Sequence, residues 1–286
     1  MSPQSLKDRF NTSKEELAKL GLEFNSEALP LLEKLYNTSF WILLNKRPVK
    51  KIIKQTFFEA IENCDITKNY ADWKSWIYRI WMREILEFYS SKENDTQTVF
   101  DFIDQAEVNL KDVGDFFTYI QSEGELIKSL EKLPAVLRIP MIMKKIHSLN
   151  YEKIAELIDV PDGVIATRIY RARKLLYLFM KGDFNYEKQE RIGAQQSFSK
   201  LIFELRQCAL LVDDELSSEQ KAAFSKSATN SNLFKAEILI QSEIKKYFRN
   251  LSTDNPVITR IRTKIERKAI KRFGKPNEPD HSSNPS

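Results

Sequence analysis

The stretch "LNYEKIAELIDVPDGVIATRIYRARKLL", Leu149 to Leu176, constrains this chain more than any other. It holds a short apolar-periodic run, a tight break at "DVPDG", and a second run with four basic residues and no acid. At 3.6 residues per turn, Ile165, Ile169, Ala172 and Leu176 fall on one narrow face, with Thr167, Tyr170, Arg171 and Lys174 roughly opposite. In the first run Ile154, Ala155 and Ile158 form a stripe, and the break supplies Asp159 where a left-handed residue is usually needed and Pro161 near a first helical position. Two short helices crossing over a small apolar centre, the second basic outside, form a helix-turn-helix whose second helix enters the major groove of DNA. An ordinary helical hairpin with solvated charges is the alternative. Arginine suits a groove because its planar fork bonds guanine edges or phosphates bidentately.

The rest of the chain agrees with helices. Seven Gly and ten Pro in 286 residues supply few turns, and the reading is all-α. The longest apolar run, "LLYLFM", is far short of a membrane span, and "MSPQSLKDRF" lacks a signal-peptide core, so no membrane partner and a cytoplasmic location are expected. Cys64 and Cys208 make neither a disulfide framework nor a metal-ligand spacing. No phosphate-binding glycine loop, H-E-x-x-H or Cys-x-x-Cys is present. No catalytic residues, cofactor or metal are therefore expected.

Charge divides the chain. Between Ser90 and Glu125, nine acids (Glu93, Asp95, Asp101, Asp104, Glu107, Asp112, Asp115, Glu123, Glu125) stand against Lys92 and Lys111, a net of −7. This acidic connector, with scattered Phe and Ile, reads as partial helix. In "VITRIRTKIERKAIKRFGKP", Val257 to Pro276, eight bases (Arg260, Arg262, Lys264, Arg267, Lys268, Lys271, Arg272, Lys275) accompany one acid, Glu266. Within that segment Ile258, Ile261, Ile265 and Ala269 form an apolar stripe suited to docking on the protein, a partner or an anionic surface. The last residues, "NEPDHSSNPS", look disordered. Five segments result: an aromatic-rich helical domain (1–90), an acidic linker (91–124), a helix-turn-helix domain (125–181), a helical extension (182–255) with "SSEQ" as a capping box at Ser217 to Gln220, and a basic amphipathic helix with a tail (256–286).

"SLEKLPAVLRIPMIMKKIHSLNYEKIAELIDVPDGVIATRIYRARKLL" resembles the promoter-reading carboxyl-terminal domain of bacterial RNA polymerase sigma factors of the extracytoplasmic-function type. There an "LP" helix start precedes a "YEEIAE…G-T-V-x-S-R-x-x-R-A-R" helix pair. The resemblance implies contact with the minus thirty-five promoter element by Asp162, Val164, Thr167, Arg168, Arg171, Arg173 and Lys174; Val164 and Ala166 stand where the family usually has Thr and Lys. "QTFFEAI" followed by "WKSWIYRIWMRE" is similar to the polymerase-binding and promoter-melting domain of the same family ("ETFLRAW", "FRTWLYRIARN"). By resemblance, the melting surface comprises Lys68, Asn69, Tyr70, Trp73, Trp76, Arg79 and Arg83. The polymerase-binding surface comprises Lys50, Lys51, Lys54, Gln55 and Phe58, with lysines where the family carries acids. Trp73, Trp76, Ile77, Ile80, Trp81 and Phe88 share one arc, and most of them are expected in the core. In the family the linker threads the polymerase's nucleic-acid channel.

"LLVDDELSSEQKAAFSKSATNSNLFKAEI" faintly resembles a small anti-sigma domain without its zinc ligands. The implied function is transcription initiation with core RNA polymerase and promoter DNA as partners, and an anti-sigma protein or the chain's own extension as regulator. Two alternatives stand beside it. One is a sigma-derived DNA-binding regulator that no longer binds polymerase productively, prompted by the three lysines. The other is an unrelated helix-turn-helix repressor.

Overall fold

The computed structural model describes residues 14–64, 72–90, 100, 109–119, 123–161, 163–182, 198–248 and 256–274. Among them every regular element is a helix. The run is α1 (Lys14–Glu23), a π-helical turn (Phe24–Ala28), α2 (Leu31–Leu43), α3 (Lys46–Glu62), α4 (Trp73–Ser90), α5 (Leu110–Tyr119), α6 (Glu123–Lys132), α7 (Ala135–His147), α8 (Tyr151–Ile158), α9 (Val164–Lys181), α10 (Phe198–Val212), α11 (Ser218–Thr229), α12 (Asn232–Tyr247) and α13 (Pro256–Phe273). The tail expected to be disordered, residues 277–286, most of the acidic connector, and Lys68, Asn69, Tyr70 and Asp162 lie outside the described residues.

The five sequence segments close into two compact units, one of residues 1–88 with 252–286 and one of 89–251. In the first unit, α2 packs on α3, and α13 returns from the far end of the sequence to lie against α1, α2 and α3. The α13 apolar stripe explains its return: Ile258, Ile261, Ile265, Ala269 and Phe273 are all buried. Phe273 packs its ring 5.9 Å from Phe24 and 6.4 Å from Trp73. Only glycine fits at position 21, because a Cβ there would stand 2.8 Å from Phe273 Cβ. At its centre the buried Trp81 donates its indole Nε1 proton to Ser39 Oγ at 2.8 Å, so the ring carries no unmet donor.

The second unit is built on α9, which packs against α6, α7, α8, α10 and α12, while α5 from the acidic connector lies on α12. The Phe116 and Phe117 rings of α5 stand 5.0 and 5.7 Å from that of Tyr177 on α9. The acidic linker is thus helical over α5 and anchored by its aromatics, in keeping with the partial helix its composition suggests.

Candidate nucleic-acid interface

The turn before the second helix forms as its residues dictate. Asn150 caps α8 by accepting from Lys153 N at 2.9 Å, and Asp159 ends it in the left-handed region at φ 54°. Gly163, at φ 84°, is the N-cap of α9, so the helix starts at Val164, three residues beyond Pro161; only glycine holds that φ without strain. Ile154, Ala155, Ile158, Ile165, Ile169, Ala172 and Leu176 are buried, giving the apolar centre over which the two helices cross.

The outward side of α9 is not one open face. Arg173 and Lys174 are only 3% and 1% exposed, beneath the extension. Arg173 Nη2 donates to Asp213 Oδ1 at 2.9 Å and Oδ2 at 2.8 Å. The same carboxylate accepts from Tyr151 Oη at 2.7 Å and lies 3.1 Å from Lys245 Nζ. Lys174 Nζ stands 2.9 Å from Glu237 Oε1, and Gln241 Nε2 donates to the Tyr170 carbonyl at 3.1 Å. Glu215 completes the clasp, paired with Lys144 and accepting from Tyr151 N at 3.1 Å. Arg173 and Lys174 therefore leave the set of DNA-facing residues. Acids 40 and 63 positions downstream neutralise them inside the unit.

Burial alone would raise the Asp213 pKa. The Arg173 charge and hydrogen bond, with Tyr151 and Lys245, outweigh it and hold the carboxyl below its usual range. Burial also drives the Tyr151 hydroxyl well above its ordinary value. Both shifts fix one arrangement, a neutral phenol donating to an ionised carboxylate. The "DDELSSEQ" stretch that prompted the anti-sigma resemblance supplies this clasp, and its capping box forms, Ser217 Oγ accepting from Gln220 N at 3.2 Å and Gln220 Oε1 from Ser217 N at 2.9 Å.

Val164, Thr167, Arg168 and Arg171 remain partly exposed. By helical geometry they share a stripe about 100° wide along α9. Three arcs thus divide the helix: one toward α7 and α8, one beneath α10 and α12, and this partly exposed stripe. Two aromatics border it. The Arg171 guanidinium lies 4.6 Å from the Phe100 ring centre, and Phe203 on α10, 56% exposed, lies 3.8 Å from the Arg206 guanidinium. Arg206 Nη1 reaches the Gly163 carbonyl at 3.4 Å, at the mouth of α9. Sequence reasoning missed Arg206, because it belongs to the extension and carries no motif.

In the first unit, α4 buries Trp73 and Trp76. Trp73 packs 5.4 Å from Phe24, so neither indole is presented to stack on an unpaired base, and both leave the melting set. Arg79 is exposed, while Arg83 is held by Glu59 at 2.5 Å with Glu84 at 3.6 Å. On α3, Lys50, Lys51, Lys54 and Gln55 are exposed on one side of the helix; Phe58 is half-buried, with Lys54 Nζ 5.6 Å and Lys268 Nζ 4.4 Å from its ring centre.

Residues 123–176 match the family model "Sigma-70, region 4", a span that begins with α6 and ends within α9. The SigW sigma factor of Bacillus subtilis is 27% identical over 158 residues, 50% of this chain and 81% of that protein. The matches support a sigma factor of the extracytoplasmic-function type. Two further relatives agree: SigV of Bacillus subtilis is 25% identical over 146 residues, 49% of this chain and 81% of that protein. The sigma-E factor of Haemophilus influenzae is 22% identical over 143 residues, 46% of this chain and 75% of that protein. The region 4 match stops short of the extension, and no solved structure matches the chain. No helix among the described residues is long and apolar enough to cross a membrane.

Proposed function

We propose that the chain is a transcription initiation factor that binds core RNA polymerase and directs it, in the cytoplasm, to a restricted set of promoters. Carrying the reading is the coincidence of the region 4 match with a helix-turn-helix whose second helix keeps Val164, Thr167, Arg168 and Arg171 outside its core. Arg168 and Arg171 contact bases or phosphates of the upstream element, Thr167 adds a hydroxyl, and Val164 offers a methyl surface suited to thymine. Lys68, Asn69, Tyr70 and Arg79 serve melting of the downstream element, and Lys50, Lys51, Lys54 and Gln55 meet the polymerase. The extension covers Tyr170, Arg173 and Lys174 of α9 and leaves Val164, Thr167, Arg168 and Arg171 partly exposed, which favours a supporting role over a blocking one. The chain performs no chemistry itself; the polymerase supplies it.

A second reading, a sigma-derived regulator without productive polymerase binding, is favoured by one observation: the exposed lysines of α3 stand where the family carries acids, and like charges at an interface repel. Co-elution of the full-length chain with core polymerase from its own organism, followed by transcription from genomic DNA, separates the two. Discrete start sites that disappear in Arg168→Ala and Arg171→Ala, each weakening promoter binding by about 1–3 kcal/mol, are expected. DNA binding without polymerase binding would overturn the first reading in favour of the second.

A further inference from the structure

The basic helix α13 is not used by the reading above. Its apolar stripe is spent on the first unit, and Lys268 is pinned there by Glu62 and the Phe58 ring. The opposite side of α13 is therefore held rigidly outward. Arg260, Lys264, Arg267 and Lys271 are all exposed and recur at the i, i+4, i+7, i+11 spacing of a single helical stripe. They form a straight row of four cations about 16 Å long. None of the four has a carboxylate partner among the described residues. Like charges three and four apart destabilise a helix, so the row opposes folding of α13 and is tolerated because the buried stripe outweighs it. Lys54, beside Lys268 over the Phe58 ring, extends the positive surface onto α3.

We propose that this row is a second, sequence-independent DNA contact, gripping the phosphate backbone of duplex DNA. Three observations select that partner. A helix lying in a membrane inserts its apolar face, and that of α13 is already buried in the protein. Cores of protein interfaces are depleted of lysine and rich in aromatic anchors, and the row carries no aromatic residue. A rigid, straight line of cations complements the regular phosphate rows of a duplex, whereas a flexible single strand gains nothing from that rigidity. The contact is distinct from the reading stripe of α9 and requires no promoter sequence.

The test uses the full-length chain and a labelled duplex of about 25 base pairs of arbitrary sequence, long enough for several phosphate contacts on each strand. Its affinity is measured across a salt series for the wild type and for Arg260→Gln/Lys264→Gln/Arg267→Gln/Lys271→Gln. The slope of log affinity against log salt should fall in magnitude by about 3–4 in the quadruple variant, at about 0.9 per lost phosphate contact. Helix content is expected to hold and the thermal midpoint to hold or rise, since all four side chains are exposed and their mutual repulsion is removed. Arg267→Gln alone should lower the slope by about 1 and carries the test if the quadruple variant does not fold. Arg168→Ala, by contrast, should erode discrimination between sequences and leave the effect of the quadruple change intact. An unchanged slope would overturn the proposal. So would a quadruple variant that binds duplex normally but loses core polymerase, single-stranded nucleic acid or anionic vesicles.

Discussion

Replacing Asp213 with alanine would leave Arg173 charged, buried and unpaired in the centre of the second unit. The lost contacts are two Nη2 hydrogen bonds at 2.8 and 2.9 Å, the Tyr151 hydroxyl bond at 2.7 Å and the Lys245 contact at 3.1 Å. The Asp213 side chain is fully buried and that of Arg173 is 4% exposed, so water cannot replace them without opening the unit. Removing one partner of a buried pair costs about 3–5 kcal/mol, against a total stability of about 5–15 kcal/mol for a domain. With a urea slope of about 1–3 kcal/mol per molar, the midpoint should fall by roughly 1–5 M. The measurement has an internal control, because all four tryptophans, Trp41, Trp73, Trp76 and Trp81, belong to the first unit. Far-ultraviolet circular dichroism should show an early loss of part of the helix while the tryptophan fluorescence transition stays in place. Arg173→Met combined with Asp213→Leu should regain most of the loss, as apolar groups of similar volume replace the pair. A loss below about 1 kcal/mol, the usual worth of an exposed pair, would refute the view that the extension neutralises buried cations. The Asp213 carboxyl is held below its ordinary value. Its contribution is therefore complete above the unfolded value of about 3.9 and is lost as pH falls through the lower folded value. The gap between wild type and Asp213→Ala should close on acidification.

Two further outcomes probe the first unit. Gly21→Ala places a Cβ 2.8 Å from Phe273 Cβ and should shift α13, costing about 1–3 kcal/mol in the tryptophan-reported transition; an unchanged transition would show that α13 docks more loosely than the Phe273 contact implies. Glu84, almost fully buried, has its pKa raised by burial and by Glu87, against the pull of Arg83. Such a group adds stability below its unfolded pKa and loses it as pH rises through the higher folded value. Glu84→Gln, which keeps an acceptor for Gln55 Nε2, should therefore raise the thermal midpoint at neutral pH and have no stabilising effect near pH 4, where the unfolded carboxyl of about 4.3 is largely protonated.

Local features were legible in the residues themselves. The left-handed Asp159, the capping box at Ser217, the apolar stripe of the terminal basic helix and the core arc from Ile165 to Leu176 each depend on contacts within a few residues. Periodicity reports such contacts faithfully. Which polar positions would be covered was not legible, because burial of a charge depends on a partner distant in sequence. Arg173 and Lys174 read as a solvent face until Asp213 and Glu237 arrive beside them. Trp73 passes from a possible stacking surface to core through Phe24 and Phe273, residues 49 positions before it and 200 after.

An all-α chain with a helix-turn-helix and two blocks resembling sigma-factor domains could be read from the residues in order. That the extension packs into the helix-turn-helix unit, and that the terminal helix joins the first unit, emerges from the folded chain alone. A helix announces its apolar stripe through its own 3.6-residue period, whereas the surface that buries that stripe is set by long-range packing, which no local pattern encodes.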